Sequence, residues 1–97
     1  MMYDIRILPP AGRFIKRINE KNLKSLFIDA LGKISENPYI GDAKTGDLQG
    51  VFGYDIYYNK TNYEIAYNII DLPQKIVTVI LVGTRENFYD QLKRYLF

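Results

Sequence analysis

Arg85 and Tyr89 stand four residues apart in a C-terminal segment whose Phe88, Leu92, Tyr95 and Leu96 recur at helical spacing. One helical turn puts a guanidinium and a phenol on the same side. Together they make a workable phosphate site, in which the guanidinium holds phosphate oxygens and the phenol hydrogen-bonds or gives up a proton. Thr84 is placed to cap that helix, which would set Arg85 in the first turn, where a cation opposes the helix dipole. A cation so placed either pairs with a nearby carboxylate or waits for an anionic ligand. Lys93 and Arg94, near the last turn, complement the dipole and need no ligand.

Two further sets of residues could do chemistry. Five of the nine tyrosines lie between Tyr54 and Tyr67. They read either as half-buried aromatics of a sheet or as a stacking surface for nucleotide bases. Tyr54 and Tyr58 share a strand face with Ile56 while Tyr57 points the other way; Tyr63, Ile65 and Tyr67 share a face on the next strand. The acids Asp42, Asp47, Asp55 and Glu64 read first as solvated loops and strand edges. The chain has no Cys and no His, which excludes thiolate nucleophiles, zinc fingers and imidazole bases. No all-oxygen metal motif, phosphate-cradling glycine loop or dinucleotide fingerprint is present.

The 97 residues carry a net charge of +2 that hides a pattern. Residues 1–44 hold eight basic and five acidic side chains, residues 45–71 one and four, and residues 72–97 four and two. An acidic, tyrosine-rich middle therefore sits between basic flanks, and local sign matters more to a charged ligand than the total.

The elements that must position these groups follow from periodicity. Tyr3 to Leu8 alternates as a short strand and stops at Pro9-Pro10, where Pro10 suits the first turn of a helix carrying Phe14, Ile15 and Ile18. Leu23, Leu26, Phe27, Ala30, Leu31 and Ile34 form one apolar stripe of a second helix, ended by Asn37-Pro38. The brief connection predicts an antiparallel helical hairpin. Gly41, Gly46, Gly50 and Gly53 punctuate a loop. Strands are predicted at Tyr54–Tyr58, Tyr63–Ile70 and Lys75–Val82, the last central because it is nearly continuous Ile, Val and Leu. The expected architecture is a single α+β domain over residues 1–97. Its order is β-α-α-β-β-β-α, an antiparallel sheet packed with a helical hairpin and a C-terminal helix. The longest apolar stretch is too short to span a bilayer and no leader pattern opens the chain, so a cytoplasmic location is expected.

Taken in order, Asn37-Pro38, Gly46-Asp47-Leu48-Gln49-Gly50, Tyr54-Asp55-Ile56-Tyr57, Tyr63-Glu64-Ile65-Ala66-Tyr67 and the run from Val79 to Tyr89 resemble the RelE/ParE superfamily. These are the toxins of type II toxin–antitoxin modules. The resemblance covers about residues 23–95. It implies an endoribonuclease that cleaves mRNA, often on the ribosome, without cofactor or metal, and that a cognate antitoxin silences. By that resemblance Arg85 would stabilise the phosphate, Tyr89 would orient it or act as acid, and Asp42 would stand where some members place a base. RNA contacts would fall to Lys44, Lys60, Tyr57 and Tyr63. Three positions depart from the pattern: the family Arg is Glu64, strand positions that are often cationic are Asp55 and Tyr57, and a frequent His is Thr84. RNA binding at an acidic face is expected to be weaker, since phosphate neutralisation dominates nucleic-acid affinity. Either Glu64 and Asp55 supply a base, or the ribonuclease site is lost and the chain acts by binding a protein target such as DNA gyrase, as the ParE branch does. A third reading is a structural relative without toxicity.

Overall fold

The computed structural model describes residues 2–96. Strand β1 (Asp4–Ile7) leads into helices α1 (Pro9–Lys16) and α2 (Lys21–Glu36). A short strand β2 (Asp42–Ala43) lies between two 3₁₀ turns, Pro38–Ile40 and Gly46–Leu48. Then come β3 (Phe52–Tyr58), β4 (Thr61–Ile70), β5 (Ile76–Thr84) and helix α3 (Phe88–Leu96). Two prolines open α1, where the missing N–H groups are not needed. On α2, Leu23, Phe27, Ala30 and Ile34 are buried, while Leu26 lies at the margin of the stripe, 37% exposed. The Asn37 side chain accepts the Tyr39 N–H at 3.2 Å and starts the 3₁₀ turn that ends the helical segment.

The sheet order is β1-β5-β4-β3-β2. Strands β3, β4 and β5 form the expected antiparallel meander, but β1 runs parallel to β5, so the sheet is mixed. The chain leaves β1 through the helices and enters the meander from the far edge, which brings β5 back beside β1 in the same direction. The expectation for β5 holds: it is flanked by β1 and β4 and buried on both faces. The β3–β4 turn is tighter than the expected four residues. Asn59 and Lys60 alone form it, at φ 50° and 64°, the left-handed pair that a two-residue hairpin of type I′ requires.

A β-bulge divides the core. Ala66 pairs with Leu81 and Tyr67 with Val79, so Ile80 is the extra residue. Before it Val77 and Val79, and after it Val82, face α1 and α2; Ile80 and Leu81 turn to the other face, against Phe88 and Leu92 of α3. Phe27 and Phe14 meet edge-to-face at 6.2 Å where α1 and α2 adjoin. Each helix thus covers the sheet with the apolar stripe its sequence supplies.

At the end of the sheet away from the β3–β4 hairpin, the hydroxyls of Tyr3 and Tyr39 both donate to the carboxylate of Asp71 in the β4–β5 turn. These bonds, with the Lys75 charge, hold the Asp71 carboxyl below the usual carboxylate range, and the bond to Asp71 pushes Tyr3 up to about 12. A depressed carboxyl contributes stability that is complete above its unfolded value and fades as pH falls through its folded one. A raised phenol contributes stability that is lost as pH rises from 10 toward about 12. The expected result is that the gap in thermal midpoint between wild type and Asp71→Asn is widest between about pH 5 and 9 and narrows on both sides. A gap that stays constant down to pH 2 would remove Asp71 from the pin.

Candidate functional site

Glu64 is the one fully buried charged side chain among the described residues. It sits on β4 opposite Asp55 of β3 and Gly83 of β5, on the sheet face that α3 partly covers. A carboxylate taken out of water is costly unless it is paired and hydrogen-bonded. Here three groups meet it. Lys44 Nζ lies 3.2 Å from Oε2 and Arg85 Nε 3.5 Å from Oε1. The Tyr89 hydroxyl stands 3.0 Å from both oxygens and donates to them. Lys44 in turn donates to the Tyr89 oxygen at 2.9 Å, so the phenol bridges an ammonium and a carboxylate. Arg85 Nη1 reaches Asp55 at 3.6 Å.

Each element supplies its residue for a local reason. Lys44 follows β2, and its N–H bonds the Val51 carbonyl at 2.9 Å, which fixes the base of the side chain. Gly53 leaves the space the ion pair occupies: a Cβ there would fall on Glu64 Oε2 and lie 2.8 Å from Lys44 Cε. Arg85 is not in the first turn of a helix. β5 pairs with β4 through Thr84, the Arg85 N–H bonds the Asn62 carbonyl at 3.0 Å, and α3 starts only at Phe88 after a turn with Asn87 at φ 57°. Thr84 is therefore a strand residue rather than a cap, and the sheet, not a helix dipole, sets the guanidinium. Tyr89 enters from α3, its ring edge-to-face with Phe88 at 5.6 Å.

The electrostatics are closed on themselves. Burial works against the Lys44 ammonium, but its bond to Tyr89 and the charge of Glu64 outweigh that and raise its pKa. Asp55 first, then Glu64, raises that of Arg85. Two cations face two carboxylates, with the Tyr89 hydroxyl bridging Lys44 and Glu64. The groups differ in access: Glu64 is sealed, whereas the Arg85 and Asp55 side chains are 46% and 49% exposed. Arg85 can thus meet a solvent-borne anion, and Tyr89 can pass a proton inward to Glu64.

Of the residues singled out by sequence, Arg85, Tyr89, Glu64 and Lys44 come together. Asp42 is exposed on β2 and takes no part in this hydrogen-bonded set. Lys60 lies at the exposed hairpin tip, and Tyr57 is exposed on the Asp55 side of β3. Tyr63 is placed elsewhere: it packs edge-to-face on Phe27 at 5.7 Å and Phe14 at 6.3 Å, on the opposite face of the sheet. Sequence reasoning missed Gly53, read as loop punctuation, and the role of Lys44 as counter-ion to Glu64. Among the described residues no group of His, Cys, Asp or Glu is arranged to hold a metal ion.

The element order is shared with solved RelE toxins, and the family match makes the chain a toxin of the RelE/ParE superfamily. Residues 5–93 match the family described as ParE-like toxin of type II bacterial toxin-antitoxin system, and the chain belongs to that family. A mutant RelE toxin from E. coli in the free state is similar in fold, with a TM-score of 0.75 at 18% identity over 98% of this chain and 94% of that one. The toxin–antitoxin complex RelBE2 from Mycobacterium tuberculosis gives 0.68 at 24% identity, over 88% and 100%. The intact E. coli RelBE complex gives 0.66 at 21%, over 84% and 94%. Comparison with curated proteins gave no match. No helix among the described residues is long and apolar enough to cross a membrane.

Proposed function

We propose that this toxin is an mRNA endoribonuclease whose phosphate-facing group is Arg85 and whose proton-handling pair is Tyr89 and Glu64. The observation that carries the reading is one cluster in which Lys44, Glu64 and Tyr89 are hydrogen-bonded and Arg85 is ion-paired to Glu64, with only its Arg85 end well open to solvent. In RNA cleavage the 2′-oxygen bonds to phosphorus and the bond to the 5′-oxygen breaks. The 2′-hydroxyl proton passes to Glu64 through the Tyr89 hydroxyl, while Lys44 at 2.9 Å steadies charge that develops on the phenol oxygen. Arg85 holds the phosphate oxygens, exchanging its long contact with Asp55 for them. The leaving 5′-oxygen takes its proton from solvent. No metal or cofactor enters this scheme.

The protein partner proposed is a cognate antitoxin, as in the two toxin–antitoxin complexes of similar fold. An open groove of about 470 Å³ beside α1 suits it: Ile7, Leu8 and Ile15 give an apolar floor, and Arg13, Lys16 and Lys24 a basic rim. An acidic amphipathic segment complements both.

Induction of the chain alone is expected to arrest bacterial growth, with an adjacent small open reading frame relieving it. New mRNA ends carrying 2′,3′-cyclic phosphate appear, and a single 2′-deoxy substitution at the cleaved nucleotide protects it. One observation favours a second reading: both cations of the site are matched by carboxylates, so the face lacks the positive charge that attracts RNA. Under that reading the toxin binds DNA gyrase, and loss of supercoiling without new mRNA ends would replace the ribonuclease assignment.

A further inference from the structure

We propose that Tyr57 and Asn62 form a subsite for one unstacked nucleobase, adjoining the Arg85 phosphate position; the inference rests on the ribonuclease reading. Side chains alternate along β3, so Tyr57 projects from the same face as Asp55, which touches Arg85, and Gly53, which backs Glu64. The residue is 66% exposed and lies outside the apolar cluster that packs on α3. The register places Asn62 of β4 directly opposite Tyr57, just as Glu64 is opposite Asp55. Cross-strand partners bring their side chains within reach of each other. Asn62 is exposed, and its carboxamide offers both donor and acceptor to a base edge. Its own carbonyl accepts the Arg85 N–H at 3.0 Å, so the base-reading residue and the phosphate-holding residue are tied backbone to backbone.

The spacing suits a single strand of RNA. Two residues of strand advance about 6.6 Å, which puts the ring one step along the sheet from the phosphate at Arg85. The charge pattern gives the subsite its purpose. With the cations already matched, a large ionic contribution to affinity is missing, and stacking on an exposed aromatic supplies attraction without charge. The remaining tyrosines of the middle segment do not compete for this role: Tyr54, Tyr58 and Tyr63 pack against the core on the helix face and Tyr67 is buried there. The two-residue turn at Asn59-Lys60 closes the ribbon under Tyr57 and Asn62 and adds one exposed ammonium at its tip.

The test measures binding of fluorescein-labelled 2′-O-methyl hexaadenylate, in which the nucleophile is capped, to wild type, Tyr57→Ala, Tyr57→Phe and Asn62→Ala. Circular dichroism checks each fold, and cleavage of unmodified RNA by wild type is run alongside. Tyr57→Ala is expected to weaken binding about 5- to 150-fold, the range for loss of one base–aromatic stack. Tyr57→Phe retains it, Asn62→Ala alters the preference between adenine and uracil oligomers, and the salt dependence is the same for wild type and Tyr57→Ala. If wild type cleaves RNA and Tyr57→Ala binds equally well, the subsite is overturned and the ribonuclease reading stands. If wild type neither binds nor cleaves RNA, both fall together.

Discussion

Glu64→Ala is expected to lower folding stability by about 3 kcal/mol, since breaking a buried ion pair by removing one partner strands the other. In a chain of this length that is a fall in thermal midpoint of about 15 °C. The effect is large because of the accounting around the carboxylate. Glu64 is fully buried, and it is the acceptor for Tyr89 and the counter-ion for both Lys44 and Arg85. Its removal leaves the ammonium, only 21% exposed, against an emptied space beside Gly53. Glu64→Gln keeps the volume and one acceptor oxygen, so its loss is smaller, about 1–2 kcal/mol. The decisive measurement is a double-mutant cycle by urea unfolding with Lys44→Met. Coupling of at least ~1 kcal/mol is expected, Lys44→Met recovering part of the loss. Strictly additive effects would mean that the pair does not hold in solution. The same substitutions bear on function: under the ribonuclease reading Glu64→Gln cannot accept the proton relayed by Tyr89, and cleavage is lost even where the protein is folded.

The elements were legible because their causes are local. The α2 stripe, the prolines that open α1 and close α2, and the unbroken apolar run of β5 each act within a few residues. The parallel placement of β1 was not legible, because it depends on where the meander returns after the helices. The start of α3 was misplaced for a related reason. Thr84 is a good cap by type, but pairing with Tyr63 across β4 keeps it in the sheet, and tertiary pairing overrides a local preference of about 1 kcal/mol.

At the site, Arg85 and Tyr89 could be named because they are close in sequence and carry complementary chemistry. The loss of cations from the sheet face could also be read, as the acidic balance of residues 45–71. What the acids do there could not. Glu64 meets Lys44 across twenty residues only through the register of β2 on β3 and β3 on β4. The faces of the tyrosines were separable by alternation, yet which face carries the site depends on the side α3 covers. That choice puts Tyr57 with the site and Tyr63 under the helices.

Under the ribonuclease reading, Arg85→Ala is expected to reduce the rate of RNA cleavage about 100-fold while leaving folding stability within about 1 kcal/mol of wild type. The two halves of this expectation come from one observation, the split exposure of the cluster. Arg85 lies nearly half open, at 3.5–3.6 Å from its carboxylates, so its ion pairs are long and solvent-screened and contribute little to stability. The same openness makes it the cation best placed to follow a phosphate into the transition state, where charge on the equatorial oxygens grows and a fixed donor gains most. Lys44 cannot replace it, because its ammonium is committed to Glu64 and Tyr89 below the surface. Arg85→Lys should recover little, since a point charge lacks the paired donors that match phosphate oxygens. Asp55→Asn shifts the balance the other way: it removes the carboxylate that Nη1 meets among the described residues, and tighter RNA binding with steeper salt dependence is expected. Single-turnover cleavage of a labelled RNA by the three variants separates these effects, with the rate constant falling for Arg85→Ala and the half-saturating concentration falling for Asp55→Asn. Cleavage by Arg85→Ala at the wild-type rate would take the guanidinium out of the chemistry and leave the cluster a structural one.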